Sequence, residues 1–166
     1  MPSTEYDTTP REIRNFATLQ LALTAAFLVA LFFITGGTDG DYPPTWLALA
    51  LVVPIVVAAF LSERVWLSAS PLSQHEDSFQ LRSEALSVYA SQTVRKLIFC
   101  EAAMLPGIIV AFVGPYAAWP IVIAGFPGIL LLAWETWPTE RNTSRTAVML
   151  DSGGAKSGLV EGFLGL

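Results

Sequence analysis

The chain has 166 residues, 53% hydrophobic and only 14% charged, with a net charge of −5 and a mean hydropathy of +0.54. Soluble domains carry about a quarter charged residues. Here the charges nearly vanish from four segments and crowd between them, which excludes a soluble core in favour of a polytopic membrane protein. No basic block suits nucleic acid. The single cysteine, Cys100, excludes a disulfide framework, and the sole histidine, His75, leaves no material for a His-based metal cluster. Neither a metal nor a cofactor is expected.

Residues 1–15 form a polar segment that includes Glu5, Asp7 and Glu12. The apolar run behind it is too long for a signal-peptide core and lacks a small-x-small cleavage site, so it reads as a retained first helix. That first span covers residues 16–35 without a charge. About 20 apolar residues, at ~1.5 Å each, cross a ~30 Å hydrocarbon layer. The second span is predicted at 46–62, with Pro54 at its middle. The third lies at 97–114 and contains Pro106. The fourth lies at 116–134, with Pro120 in its first turn and Pro127 near its centre. Such prolines mark static kinks more often than hinges.

Between spans two and three, Ser73-Gln74-His75-Glu76 fits a capping box, and Glu76 and Asp77 suit the positive end of the helix dipole. His75, Glu76 and Asp77 are adjacent, so on a helix they point in different directions and read as a solvated turn, not a ligand trio. A helix over about 74–96, with no Pro or Gly before Pro106, is expected to run straight into span three and project several turns into the cytoplasm. Its stripe of Phe79, Leu86 and Tyr89 either packs on the chain's own tails or docks another subunit. The tail, 137–166, is apolar for a solvated terminus. Its "SGGAKSG" lacks the spacing of a phosphate loop and follows no strand. The closing "GLVEGFLGL" is too short and glycine-rich to be a stable helix alone. Leu159 and Phe163 in it are candidates for docking on the membrane surface or in a partner's groove.

Orientation follows from the basic residues. Arg11 and Arg14 precede span one, Arg64, Arg82, Arg95 and Lys96 lie between spans two and three, and Arg141, Arg145 and Lys156 follow span four. The loops "GGTDGDYPP" and "GPY" hold none. The positive-inside rule then places both termini in the cytoplasm of a cytoplasmic (inner) membrane, multi-pass protein. All five tryptophans fall near span ends, as in an aromatic belt. The expected fold is all-α: four transmembrane helices as two hairpins, N-in and C-in, over residues 16–136, with span three extended.

Four polar groups share one depth near the cytoplasmic edge: Gln20, Glu63, Glu101 and Glu135. Intramembrane carboxylates cost a few kcal/mol on insertion scales and face partners or water. Glu101, in "KLIFCEAAMLPG", is either a tether between helices or a proton- or ligand-binding group. A Ser/His/Asp set, H-E-x-x-H, CxxC and aspartate-rich motifs are all missing.

A helical hairpin with a carboxylate resembles the ring subunits of rotary ATP synthases, but Glu101 is near the edge and the glycine-repeat helix is absent. The four-span plan, Arg-over-Lys usage, "CEAAMLPG" and "PTERN" are more similar to small uncharacterised integral membrane proteins of actinobacteria. That resemblance implies a cytoplasmic-membrane location and no particular activity. The leading expectation is a non-catalytic accessory or assembly subunit of a larger membrane complex, respiratory or envelope-building, meeting the bilayer and another subunit or copy. Close helix approach would use Ala22, Ala25, Ala26, Ala58 and Ala59. The alternative is a small oligomeric transporter, channel or proton-linked module using Glu101 with Gln20 and Glu135.

Overall fold

The computed structural model describes residues 9–72 and 78–164, and every regular element among them is helical. Helix α1 runs Pro10–Ile34. It starts at Pro10, ahead of the apolar run, because Thr9 caps it. Thr9 Oγ1 accepts the Glu12 N–H at 3.2 Å, Glu12 Oε2 accepts the Thr9 N–H at 2.8 Å, and Pro10 occupies a first-turn position where no N–H is needed. Helix α2, Thr45–Arg64, continues into a tight 3₁₀ turn over Val65–Ser68. Helix α3, Ser78–Val113, is one continuous helix of 36 residues, about 54 Å long. The expected capping box at Ser73–Glu76, with His75, lies outside the described residues. Helix α4 is Trp119–Thr136, α5 is Glu140–Leu150, and α6 is the short Leu159–Leu164.

Helices α1 to α4 are each long and apolar enough to cross a membrane, as a multi-pass membrane protein requires. Their outward residues agree: Phe27, Phe33, Val56, Phe112, Phe126 and Leu130 are all exposed, a surface suited to lipid and not to water. Helix α4 is the hub, packing against α3 most extensively and also against α2 and α1. The α3–α4 contact is close because it runs over glycine. A Cβ at Gly107 would stand 2.6 Å from Ala124 Cβ and from the Pro120 carbonyl oxygen. The first two spans do not form a packed hairpin. Helix α1 lies on α4, and its contact with α2 is minimal, so the long loop 35–44 joins helices separated across the bundle.

Loops 35–44 and 114–118 meet at one end of the bundle. The Ala118 N–H donates to the Gly37 carbonyl at 2.8 Å, and Tyr42 and Trp119 stack edge to face at 5.1 Å. Gly40 allows the approach, since a Cβ there would lie 2.7 Å from backbone atoms of Tyr116 and Ala117.

The opposite end carries a cap built by the chain itself. The first half of α3 does not project free. It is wrapped by α5, α6 and the 3₁₀ turn, and its buried face shares a core with Ile13, Leu72, Leu150, Leu159 and Phe163. Four of the five residues expected to dock a partner are therefore internal: Leu86, Tyr89, Leu159 and Phe163 are buried, with the Tyr89 and Phe163 rings 5.2 Å apart, and only Phe79 is exposed. The physical reason is burial, roughly 1.5–3 kcal/mol for each Leu or Phe removed from water. It holds the glycine-rich tail in a helix that it would not form alone. Arg14 adds a hydrogen bond to the Phe163 carbonyl.

Candidate functional site

Gln20 and Thr24 are one turn apart on α1, so their side chains share a face. Both reach the same oxygen of Glu101 on α3: Gln20 Nε2 and Thr24 Oγ1 each donate to Oε1 at 2.7 Å. Glu101 Oε2 accepts no bond from the described residues. The trio forms the polar end of a groove of about 260 Å³ between α1 and α3, otherwise lined by Leu23, Phe27, Leu28, Met104, Leu105 and Ile108. The groove exists because α1 leans on α4 and only brushes α3. Leu23, Phe27 and Leu105 on its walls are more than half exposed, so it opens sideways on the apolar surface.

The other two carboxylates assemble elsewhere. Glu135, at the end of α4 and 2% exposed, faces Lys96 Nζ at 3.0 Å and Arg141 Nη1 at 3.6 Å. Arg141 also pairs with Glu63, as does Arg145. Burial, and then the neighbouring Arg145 charge, lower the Arg141 pKa from its ordinary value, although a guanidinium stays charged near neutrality. Asn142 completes the junction at the end of α4, its amide within hydrogen-bond distance of the carbonyls of Trp134 at 2.9 Å, Glu135 at 3.2 Å and Trp137 at 2.8 Å. Two carboxylates and three cations thus tie α2, α3, α4 and α5 together.

Of the four polar candidates, Glu101 and Gln20 come together, while Glu63 and Glu135 join a separate network. Shared depth grouped them in the sequence, but depth carries no information on which side of the bundle a residue faces. Thr24 was missed, although its spacing of four from Gln20 is the signal that finds it. The partners of Glu135 were also unassigned. Lys96 and Arg141 were placed only as basic residues that flank spans three and four, without a basis for pairing either with Glu135.

The groove brings one carboxylate, one amide and one hydroxyl together among apolar side chains. Cys100 Sγ is buried, with Ser62 Oγ at 3.9 Å as its polar neighbour. Among the described residues no three His, Cys, Asp or Glu side chains gather as a metal set. The groove presents a carboxylate fixed through Oε1, with Oε2 accepting no bond from the described residues, at the end of a trough that opens on the apolar surface of the bundle. Compared with known proteins, the chain matches no family model, no curated protein and no solved structure, so its function has to be read from this site.

Proposed function

We propose that the protein is a non-catalytic accessory subunit of a cytoplasmic-membrane complex, and that it holds a membrane-embedded partner at the α1–α3 groove. The observation that carries this reading is Glu101, with Oε1 doubly bonded by Gln20 and Thr24 and Oε2 open in a trough that faces the hydrocarbon. A partner helix bearing a donor side chain would satisfy that oxygen. Polar contacts between helices in lipid are worth about 0.6–2 kcal/mol each, enough to fix a register though not to drive assembly alone. The exposed Ala22 and Ala26 on α1 support close approach of a further helix, whereas Ala58 is already used inside the bundle. The basic residues at the capped end, opposite Asp39 and Asp41 in the long loop, support placing that end in the cytoplasm.

Purification from native membranes in mild detergent tests the proposal. The wild-type chain is expected to bring down a distinct membrane protein, and Glu101→Leu to lose it while keeping its own melting temperature within a few degrees. Recovery of the chain alone, or a partner retained equally by Glu101→Leu, contradicts the reading.

A second reading, a proton- or ion-linked transport module, draws on the same open carboxylate oxygen. It requires that Glu101→Gln abolish ion-dependent flux in proteoliposomes. Unchanged flux removes it.

A further inference from the structure

A second cavity, of about 360 Å³, lies at the capped end between the first half of α3 and the segment that follows the 3₁₀ turn. Its α3 wall is a single helical face. Glu84, Ser87, Ser91, Gln92 and Arg95 recur at spacings of three and four and all line it, with Ser68 opposite. Its chemistry differs from that of the lateral groove: this wall is hydroxyl, amide and guanidinium.

The most informative group is Gln92. It is 3% exposed, and its Oε1 is occupied by the Thr146 hydroxyl at 2.7 Å. Its Nε2 is buried and has no hydrogen-bond partner. A buried donor without an acceptor costs about 1–3 kcal/mol, and native structures rarely leave one unexplained. Arg95 stands one turn away on the same face and gives Ser68 Oγ a single bond at 3.3 Å from one of its five N–H groups. Ser87 and Ser91 add hydroxyl donors. Glu84, the one carboxylate on the wall, lies eleven positions from Arg95, about 16 Å along the helix and beyond the screening length of ~8 Å at physiological salt. The Arg95 end is therefore rich in donors and poor in acceptors.

The geometry points to a binding site for a phosphate ester, with Arg95 as the charged donor, Gln92 Nε2 as the buried one, and the Ser91 hydroxyl completing the shell. A guanidinium presents paired N–H groups that match phosphate oxygens. Arg95 also directly precedes Lys96 and the apolar stretch of α3, the depth at which lipid phosphates lie. The shared chemistry has two sources, the headgroup of an anionic phospholipid and a free phosphate ester, and the site's position on α3 is compatible with either. This site is independent of the Glu101 groove.

Native mass spectrometry of the detergent-solubilised chain tests the assignment, with three probes titrated separately: a phosphatidylglycerol, soluble glycerol phosphate and inorganic phosphate. The wild type is expected to bind at least one at a stoichiometry of one. Arg95→Gln and, separately, Ser91→Ala with Gln92→Met are expected to weaken binding roughly tenfold or more, the usual consequence of removing a charged or buried donor. Arg95 is exposed, so Arg95→Gln leaves the core intact, and Arg95→Lys should restore part of the affinity. Binding of the phospholipid alone assigns the headgroup source, and binding of a soluble ester with the same variant dependence assigns the free one. Absence of binding by all three probes overturns the assignment. So does binding that Arg95→Gln and the Ser91/Gln92 pair leave unchanged, which would mean general attraction to basic residues or water alone on Gln92.

Discussion

Glu101 and Glu135 are the same residue type, both on helices long and apolar enough to cross a membrane, yet their surroundings are opposite. Glu135 is buried against Lys96 and Arg141, where each charge depends on the others. Removing one partner of a buried pair leaves an uncompensated charge and costs about 3–5 kcal/mol. Lys96→Met is expected to destabilise the fold by that amount, read as a lowered unfolding midpoint in detergent. The double change Lys96→Met with Glu135→Leu should recover most of it, because a buried pair replaced by apolar groups is often near neutral. Equal losses in the single and double variants would show that the loss does not come from an uncompensated charge on Glu135. Glu101→Gln should cost less than about 1 kcal/mol, since an amide oxygen can still accept from Gln20 and Thr24. The Glu101–Gln20 pairing was legible because both residues interrupt otherwise apolar runs at matching depth. The Glu135–Lys96 pair was not, because several cations share that depth and only azimuth distinguishes them.

At the scale of elements, the four spans and the continuity of α3 follow from hydropathy and from the absence of helix breakers before Pro106. The earlier start of α1 was also written in the chain, as Thr9-Pro10-Arg11-Glu12, a capping-box pattern that the apolar run overshadowed. Helix α5 was harder to see. Its buried face, Asn142, Thr143, Thr146, Ala147 and Leu150, mixes small polar residues with apolar ones, so hydrogen bonds such as Thr146 to Gln92 act there beside the apolar contacts of Ala147 and Leu150. Neighbour relations among the spans were not legible at all. Loop length permits α1 and α2 to pair, and only side-chain fit sends α1 to α4. That fit is testable at the α3–α4 seam. Gly107→Leu is expected to cost 3 kcal/mol or more, roughly the upper range for overpacking, because the new Cβ meets Ala124 and the Pro120 carbonyl. An unchanged melting temperature would mean that the two helices are not seated this closely.

As a whole, the molecule is a bundle with two unlike ends: loops 35–44 and 114–118 at one, which hold no Lys or Arg, and at the other a folded cap, toward which all nine Lys and Arg lie. At the cap the structure decides between the two readings of the apolar stripe: Leu86 and Tyr89 pack on the chain's own tail, against Leu159 and Phe163. Phe163→Ala is expected to loosen it by about 3–5 kcal/mol, the usual cost of a buried Phe, with enhanced proteolysis of the tail as the readout. Orientation can be tested on the same scale because Cys100, the sole cysteine, is buried and silent to reagents. With a membrane-impermeant maleimide on intact cells, Thr38→Cys should label and Ser152→Cys should not, both positions being exposed. The reverse pattern would invert the proposed topology. Under the proposed function, a membrane partner is held at the lateral groove. The most direct measurement is photo-crosslinking in native membranes from a probe placed at Leu23 or Leu105, on the exposed walls beside Glu101. A discrete adduct with one other membrane protein, lost when Glu101→Leu is added, is the expected result. Adducts with lipid alone, or a protein adduct that survives Glu101→Leu, would contradict the account.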